Sequence, residues 1–340
     1  MTVPRWQGAP VPTIYFDERI ATGYDASAAD MFEPAVLDPV VDFLADLAGD
    51  GAALELGIGT GRVALPLSAR GVAVHGIELS PAMADRLRAK PGTDAIGVTI
   101  GDFTTARVGR TFRIAYLVYN TITNLTSQDE QVECFRNVAA HLEPGGRFVI
   151  EVVIPALQRL PPGETVRAFA VTPTHLAFEE FDVATQIAWS HHYWISGQRV
   201  ELFSAPYRYV WPSELDLMAR LAGLTLRERW DGWTRQPFTT ASNSHVSVWE
   251  KPASGSDGCR RRSAGEAGDG GGELGDGVGD DVGDRADGVD AAGDLTGQSD
   301  RGVHVATEVQ GLRVAEVAED VVLGVQQPTR AVRAQRPQRR

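Results

Sequence analysis

The sequence predicts an α/β fold with a doubly wound, mostly parallel sheet, and three observations carry that prediction. An apolar strand at 53–56 runs directly into a turn with glycines at alternate positions. Apolar strands and helical patterns then alternate as far as about residue 152. From about residue 166 the hydrophobic period changes to two, which is typical of antiparallel strands. We expect a seven-stranded main sheet that ends in an antiparallel hairpin, with a small antiparallel sheet inserted.

The first fifty residues are predicted to form helices that act as a lid. Residues 1–16 are irregular and rich in proline, with Trp6 and Tyr15 as possible packing anchors. The pattern becomes helical from Asp17 through Tyr24, and a second amphipathic helix covers about 34–48. We therefore divide the chain into lid helices, a main domain and a tail, at 1–50, 51–251 and 252–340, with the insertion at about 158–211.

The main domain shows the expected punctuation of strands and helices. Ser80 with Pro81 predicts a helix start, and Ser127 with Glu130 predicts a capping box. Ser213 is predicted to cap the helix after the insertion. Strands are expected at about 72–78, 95–100, 112–119 and 147–152, then 169–172, 176–183, 186–195 and 199–210 in the insertion, and finally 224–230 and 246–250.

The glycine turn has the properties of a ligand-binding loop. Gly57, Gly59 and Gly61 allow positive φ angles and a close approach of the ligand, and the helix after them presents free N–H groups. Dinucleotide loops follow the spacing G-x-G-x-x-G, whereas here Arg62 stands in the place of the third glycine. Glu55 adds negative charge beside the loop, which suits a cationic ligand better than a pyrophosphate. An ordinary glycine-rich turn is the alternative.

The run Glu55-Leu-Gly-x-Gly-Thr-Gly61 resembles the first motif of the class I S-adenosylmethionine-dependent methyltransferases. The resemblance implies a Rossmann-like fold, S-adenosyl-L-methionine as the cofactor, and a loop that holds the methionyl end. The phrase L-x-P-G-G at 142–146 is similar to a further family feature. Segment 15–25 resembles the lid helix of the small-molecule members, in which Tyr24 would close over the cofactor.

Two more acids follow predicted strands at the expected separations. Glu78 lies about twenty residues after the loop, where an acid at a strand end can accept hydrogen bonds from a ribose diol. The resemblance gives the adenine contacts to Asp102 and Phe103, and Leu79 is counted with the same site.

Catalytic candidates follow the fourth strand and lie in the insertion. Tyr119 and Asn120 are expected at the reaction centre, because ligands of open α/β sheets lie beyond the carboxyl ends of the strands. Tyr119 also counts as a cofactor contact. The candidate bases are His191, His192, His175 and Tyr119, and His191 is counted among the catalytic residues. His191 and His192 must face opposite sides of a strand, so at most one of them can point into the site. A base is needed only where the acceptor must lose a proton, and no metal cluster is expected.

Composition limits the possible partners and the location. The net charge of −13 argues against a nucleic-acid partner. Two cysteines and no long apolar run predict a cytoplasmic protein without a membrane span. All aromatic residues and lysines lie at or before Lys251, so the tail is predicted to be a disordered, low-complexity segment.

The expected function is methyl transfer to an O or N atom of a small molecule. The alternatives are a protein or RNA methyltransferase of the same fold, and a cofactor-binding scaffold without activity. An oxidoreductase that uses NAD is disfavoured by the glycine spacing. The acceptor and the oligomeric state are left open.

Overall fold

A seven-stranded sheet forms the centre of the molecule in this computed structural model, which describes residues 16–253. Its strands are β1 Ala53–Leu56, β2 Val74–Glu78, β3 Gly97–Ile100, β4 Phe112–Leu117, β5 Leu142–Val153, β10 Thr225–Trp230 and β11 Ser244–Glu250. The inserted sheet contains β6 Val166–Val171, β7 His175–Asp182, β8 Ile187–Ser196 and β9 Arg199–Arg208. The predicted fold class is confirmed. The predicted tail, Trp6 and Tyr15 lie outside the described residues.

Six α-helices surround the main sheet in the described part of the chain. They are α1 Glu18–Ser27, α2 Pro34–Ala48, α3 Ala64–Ala69, α4 Pro81–Arg88, α5 Gln128–His141 and α6 Pro212–Leu221. Asp17 caps α1, and the capping box of Ser127 and Glu130 is present at α5. The predicted cap at Ser213 is wrong, because Pro212 begins α6 and Trp211 takes the cap position. None of the helices in 16–253 has the length and apolar character that a membrane crossing requires.

The strand order fixes where a ligand can bind. The main sheet runs β10-β11-β5-β4-β1-β2-β3, with β11 antiparallel to both of its neighbours. β1 pairs in parallel with β2 on one side and with β4 on the other. The strand order reverses beside β1, so the loop after β1 lies at the topological switch point where open α/β sheets bind ligands.

Two apolar cores lie on the two faces of the main sheet. α2 and α3 cover one face, where Leu44 and Leu67 are fully buried. α5 and α6 cover the other, where Phe135 and Phe148 pack against Trp249 at centroid distances of 5.5 and 6.2 Å. These cores hold the strand ends, and therefore the loops beyond them, in fixed positions.

The inserted sheet has one face turned toward the carboxyl edge of the main sheet. Its strands pair antiparallel in the order β6-β7-β8-β9. Phe181 and Tyr207 on this inner face form a small core with Leu157 and Leu160, in the segment after β5. A buried ion pair between Arg208 and Glu214 at 2.6 Å ties β9 to α6.

Candidate active site

The glycine loop connects β1 to α3 at the switch point. Gly57 has a φ of +69°, and a Cβ atom added to it would lie 3.0 Å from Cγ2 of Thr121. A side chain at Gly57 would therefore strain the backbone and fill the space between the loop and the segment after β4. Gly61 has a φ of +83° and packs against Leu87. Both positions require glycine.

Glu55 is a buried acid at the base of this loop. Its Oε2 atom accepts a hydrogen bond of 3.0 Å from the Tyr116 hydroxyl. Burial raises the pKa of Glu55 to about 8, against the opposing effects of Tyr116 and of the Arg62 guanidinium. A buried carboxylate held in this way is stabilised when a cationic group comes beside it.

Glu78 at the end of β2 is hydrogen-bonded to the glycine loop. Its Oε2 atom accepts from the Gly59 N–H at 2.8 Å, and its Oε1 atom accepts from the Ser80 N–H at 2.9 Å. Burial raises the pKa of Glu78, and these backbone hydrogen bonds oppose the shift. A carboxylate oxygen can accept two hydrogen bonds, so the carboxylate keeps acceptor capacity for a ligand hydroxyl. Leu79 follows with an exposed side chain.

Asp102 and Phe103 lie after β3. Asp102 is exposed, and its Oδ1 atom accepts from the Thr104 N–H at 2.8 Å, which shapes the turn. Phe103 is half-buried, and its Cε1 atom lies 4.0 Å from the Cβ position built on Gly57. The structure thus brings Phe103 beside the glycine loop.

Tyr119 and Asn120 follow β4 in an uncommon left-handed conformation, with φ angles of 55° and 59°. Glu151 holds this segment, because its Oε2 atom accepts from the Tyr119 N–H at 2.8 Å and its Oε1 atom accepts from Trp233 Nε1 at 2.7 Å. The side-chain oxygen of Asn120 accepts from the Val153 N–H at 2.8 Å. Such conformations persist only where the surroundings enforce them, and they are common at functional sites.

A cleft opens between this segment and α1. Its described lining consists of Phe16, Tyr24, Tyr119, Asn120, Thr121, Thr123 and Asn124. The Arg62 guanidinium lies 5.5 Å from the centre of the Tyr119 ring. Burial raises the pKa of the Tyr24 phenol, which therefore stays protonated at neutral pH.

Known proteins share this arrangement. A family model described as a methyltransferase domain matches residues 53–146, which carry the loop and the strand-end acids. The CcbJ methyltransferase from Streptomyces caelestis is similar to this chain with 37% sequence identity and a TM-score of 0.64, over 72% of this chain and 100% of that one. The chain belongs to the class I S-adenosylmethionine-dependent methyltransferases. S-Adenosyl-L-methionine is accordingly its cofactor.

Two further methyltransferases extend the comparison. The cypemycin N-terminal methyltransferase from Streptomyces sp is 27% identical over 247 residues, which are 71% of this chain and 98% of that protein. The structure of CalS10, an amino pentose methyltransferase from Micromonospora echinaspora with bound S-adenosylmethionine, has a TM-score of 0.52 at 22% identity. It covers 70% of this chain and 99% of that one, and it shares the fold.

The two neighbouring histidines of this methyltransferase lie on opposite faces of the inserted sheet. His191 lies on the outer face, where its Nδ1 atom is 2.8 Å from the Ser204 hydroxyl and its ring is 4.8 Å from that of Phe178. It is not among the described residues that line the cleft. His192 lies on the inner face. It pairs with Ala177, and Ala177 points to the same side of β7 as Phe181, which belongs to that face.

A second concavity adjoins the cleft, and we call it the side pocket. It lies between the two sheets and is lined mainly by Val153, Pro155, Phe181 and Tyr209, with Glu179 and Tyr207 as its polar groups. Thr123 lines both the side pocket and the cleft. The sequence analysis missed Glu151 and Glu179, because acids within strands carry no local motif.

In the part of the chain that the structure describes, 16–253, no group of three His, Cys, Asp or Glu side chains is placed to hold a metal ion.

Proposed function

We propose that this methyltransferase transfers the methyl group to a nitrogen atom of a small molecule. The observation that carries this proposal is the described lining of the cleft, which consists of aromatic rings, amides and hydroxyls. A neutral amine has a lone pair and needs only orientation, whereas a hydroxyl must lose its proton to a base. The lining supplies orientation, and the raised pKa of Tyr24 keeps its phenol from acting as a base.

We also propose the residues that hold the cofactor. They are Tyr24, Glu55, Gly57, Gly59, Gly61, Glu78, Leu79, Asp102, Phe103 and Tyr119. S-Adenosylmethionine supplies an electrophilic methyl group on a sulfonium and leaves as a neutral thioether. Glu55 would attract the ammonium, and Glu78 would accept hydrogen bonds from the ribose while it holds the Gly59 amide. The aromatic faces of Tyr24 and Tyr119 would stabilise positive charge at the reaction centre.

The three catalytic candidates receive different roles in this proposal. Tyr119 lines the cleft and remains a contact of the reacting groups. Asn120 acts as a positioning residue, since its side-chain oxygen accepts from the Val153 N–H. His191 is not retained as a base, because it lies on the outer face of the inserted sheet.

Methylation of a hydroxyl is the second candidate, and His192 on the inner face is its best base. Its Nδ1 atom lies 3.1 Å from Nε2 of His175, and its Nε2 atom lies 3.0 Å from the Ser190 hydroxyl. Burial lowers the pKa of His192 to about 4. Both ring nitrogens already have hydrogen-bond partners and the ring is a weak base, which favours nitrogen as the acceptor.

One relative supports a nitrogen acceptor. The cypemycin enzyme is named for methylating an N-terminus, and therefore a nitrogen. The net charge of −13 disfavours RNA. A cytoplasmic location stays a prediction and rests on the two cysteines of the chain, of which Cys134 is buried and free.

The test is radiolabelled methyl transfer by the full chain to acceptors matched in shape. Cyclohexylamine and N-methylcyclohexylamine would be compared with cyclohexanol, with a short peptide, with bulk tRNA and with a protein extract. We expect transfer to the amines. Transfer to the alcohol, RNA or protein in preference would overturn the proposal. Calorimetric binding of S-adenosylmethionine without transfer to any acceptor would instead indicate a scaffold.

A further inference from the structure

We infer that Glu179 binds the acceptor, and that its carboxylate takes an ammonium or other N–H group of a small amine in the side pocket. This inference rests on the proposed function, because it names what the same enzyme would recognise in its substrate. Glu179 lies on β7, and its side chain is 1% exposed.

The hydrogen bonds of Glu179 are incomplete within the described residues. Its Oε1 atom accepts a hydrogen bond of 2.7 Å from the Tyr207 hydroxyl. Its Oε2 atom is buried and has no hydrogen-bond partner among residues 16–253. Oε2 forms an ion pair with Nη1 of Arg167 at 3.7 Å, which is too long for a hydrogen bond, and this Nη1 atom is also buried without a hydrogen-bond partner among the described residues.

A carboxylate with only a structural role would be expected to use both oxygens. A buried acceptor without a partner costs about 1–3 kcal/mol, and more when it is charged. Here the carboxylate lines a pocket whose other walls are mostly apolar, including Phe181, Val153 and Pro155. A donor that entered the pocket would satisfy Oε2, and the low polarity of the walls would strengthen its attraction to the carboxylate.

The position of the pocket links this contact to the reaction. Thr123 lines both the side pocket and the cleft, so the two adjoin at this residue. The pocket is small and would take one ammonium or N–H end of the acceptor, while the nitrogen that is methylated, which must carry a free lone pair, would lie in the cleft. Burial raises the pKa of Glu179, against the effects of Tyr207 and Arg167, and a cationic partner would reverse that shift.

Fluorine NMR on the full chain with S-adenosylhomocysteine tests the inference through binding alone. The probes are 4-fluorobenzylamine, 4-fluorobenzyl alcohol and 4-fluorobenzoate, which share a shape and differ in charge. We expect the wild type to bind the amine at least about tenfold more tightly than the other two, as one charged hydrogen bond predicts.

Two matched variants locate the contact. Glu179→Gln keeps the shape and the acceptor for Tyr207, and it should weaken amine binding about tenfold or more. Glu180→Gln changes the adjacent carboxylate, which is exposed and lies on the opposite face of the strand, and it should bind the amine as the wild type does. Unchanged binding of the cofactor product shows that each variant is folded. If Glu179→Gln fails to fold, Glu179→Asp, which retracts the carboxylate, replaces it. It should bind the amine more weakly than the wild type does, by less than the loss expected for Glu179→Gln.

The outcomes separate this inference from the proposed function. It is overturned if the wild type binds no amine probe, if amine and alcohol bind equally, or if the two glutamine variants behave alike. For an amine that is methylated, Glu179→Gln should raise KM about tenfold and change kcat by less than about threefold. Preferred methylation of alcohols by an enzyme that binds amines through Glu179 would overturn the proposed function alone.

Discussion

At the scale of single residues, each acid of the site is held in place by the groups that donate hydrogen bonds to its carboxylate. Glu78 takes two backbone N–H groups, one from the glycine loop and one from its own turn. Glu55 accepts from the Tyr116 phenol, and Glu151 accepts from the Tyr119 backbone amide and the Trp233 indole. These contacts hold the carboxylates where a cationic, hydroxyl-rich ligand can reach them.

Replacing Glu78 tests the ribose contact. Glu78→Gln keeps the size of the side chain but loses the charge that makes both diol contacts strong, so we expect S-adenosylmethionine to bind about 10- to 100-fold more weakly. Isothermal titration calorimetry measures the change, with Asp85→Asn on the exposed face of α4 as the control. Equal dissociation constants for the two variants would contradict the role given to Glu78.

Glu55 predicts a pH dependence of cofactor binding. Its pKa is raised to about 8, so the carboxyl is largely protonated at pH 7 without ligand. A cationic ammonium beside it would favour the ionised form, so binding should release a proton and tighten as pH rises toward 8. Calorimetry in buffers of different ionisation enthalpy counts that proton, and Glu55→Gln should abolish its release.

The raised pKa of Glu55 also predicts how the stability of the fold changes with pH. Its folded pKa of about 8 lies above the ordinary value of 4.5, so its contribution is full below pH 4.5 and is lost as pH rises to about 8. The melting temperature of the ligand-free wild type should therefore fall across this window more steeply than that of Glu55→Gln. Parallel curves would show that Glu55 does not titrate as described.

The sequence predicts the site acids that stand at set distances from the glycine loop, and it does not mark Glu151 and Glu179, which have no such reference point. Glu55, Glu78 and Asp102 stand at set distances from the glycines, so their spacing is readable in the chain. Glu151 and Glu179 depend on contacts with Trp233 and Tyr207, which are far away in sequence. Such contacts exist only after the sheets have formed.

At the scale of elements, α1 covers the glycine loop and is held by polar contacts. Asp25 accepts a hydrogen bond of 2.5 Å from the Thr60 hydroxyl and pairs with Lys90 at 2.5 Å. Lys90 also donates to the Thr60 carbonyl oxygen at 2.8 Å. The helix therefore has to move, or these contacts have to break, for the cofactor to exchange.

We predict that Asp25→Asn speeds the release of the cofactor product. Loss of the pair with Lys90 and a weaker bond to Thr60 should cost about 0.5–1 kcal/mol, or a two- to fivefold faster dissociation. Stopped-flow displacement measures the rate. Asp85→Asn, which breaks an exposed pair with Arg88 within α4 and leaves α1 untouched, is the control. Equal rates for both variants would show that Asp25 does not hold α1 closed.

The start of a helix could be predicted where its capping residue has a local signature. The prediction was wrong where a different residue takes the cap position. The capping box of Ser127 and Glu130 was read directly from the chain. Ser213 failed because Pro212 already fits the first helical position, which moves the cap to Trp211. The left-handed pair after β4 had no signal, because neither residue is a glycine.

At the scale of the whole molecule, the relation between the two sheets decides which side chains meet. Successive side chains of a strand point to opposite faces of the sheet, so the sequence showed that only one of His191 and His192 could face the site. The choice between them depends on the absolute orientation of the inserted sheet, which the sequence does not encode locally. The hydrogen bond between Arg208 and Gln131, which are 77 residues apart, helps to set that orientation.

The described fold ends at Lys251, which predicts where the chain can be shortened. The Lys251 ammonium donates to the carbonyl oxygens of Ala139 and Leu142, both at 2.8 Å, and its backbone pairs with Gly145 and Gly146. A variant ending at residue 253 keeps these bonds and all residues of both cores, and we expect a melting temperature within about 2 °C of the full chain. A variant ending at residue 250 loses the four bonds and should be less stable by about 2–4 kcal/mol. Calorimetric melting temperatures and cofactor affinities are measured for the full chain and for the two shortened variants. If the variant ending at residue 253 loses as much affinity as the variant ending at residue 250, the later residues contribute to the methyltransferase domain.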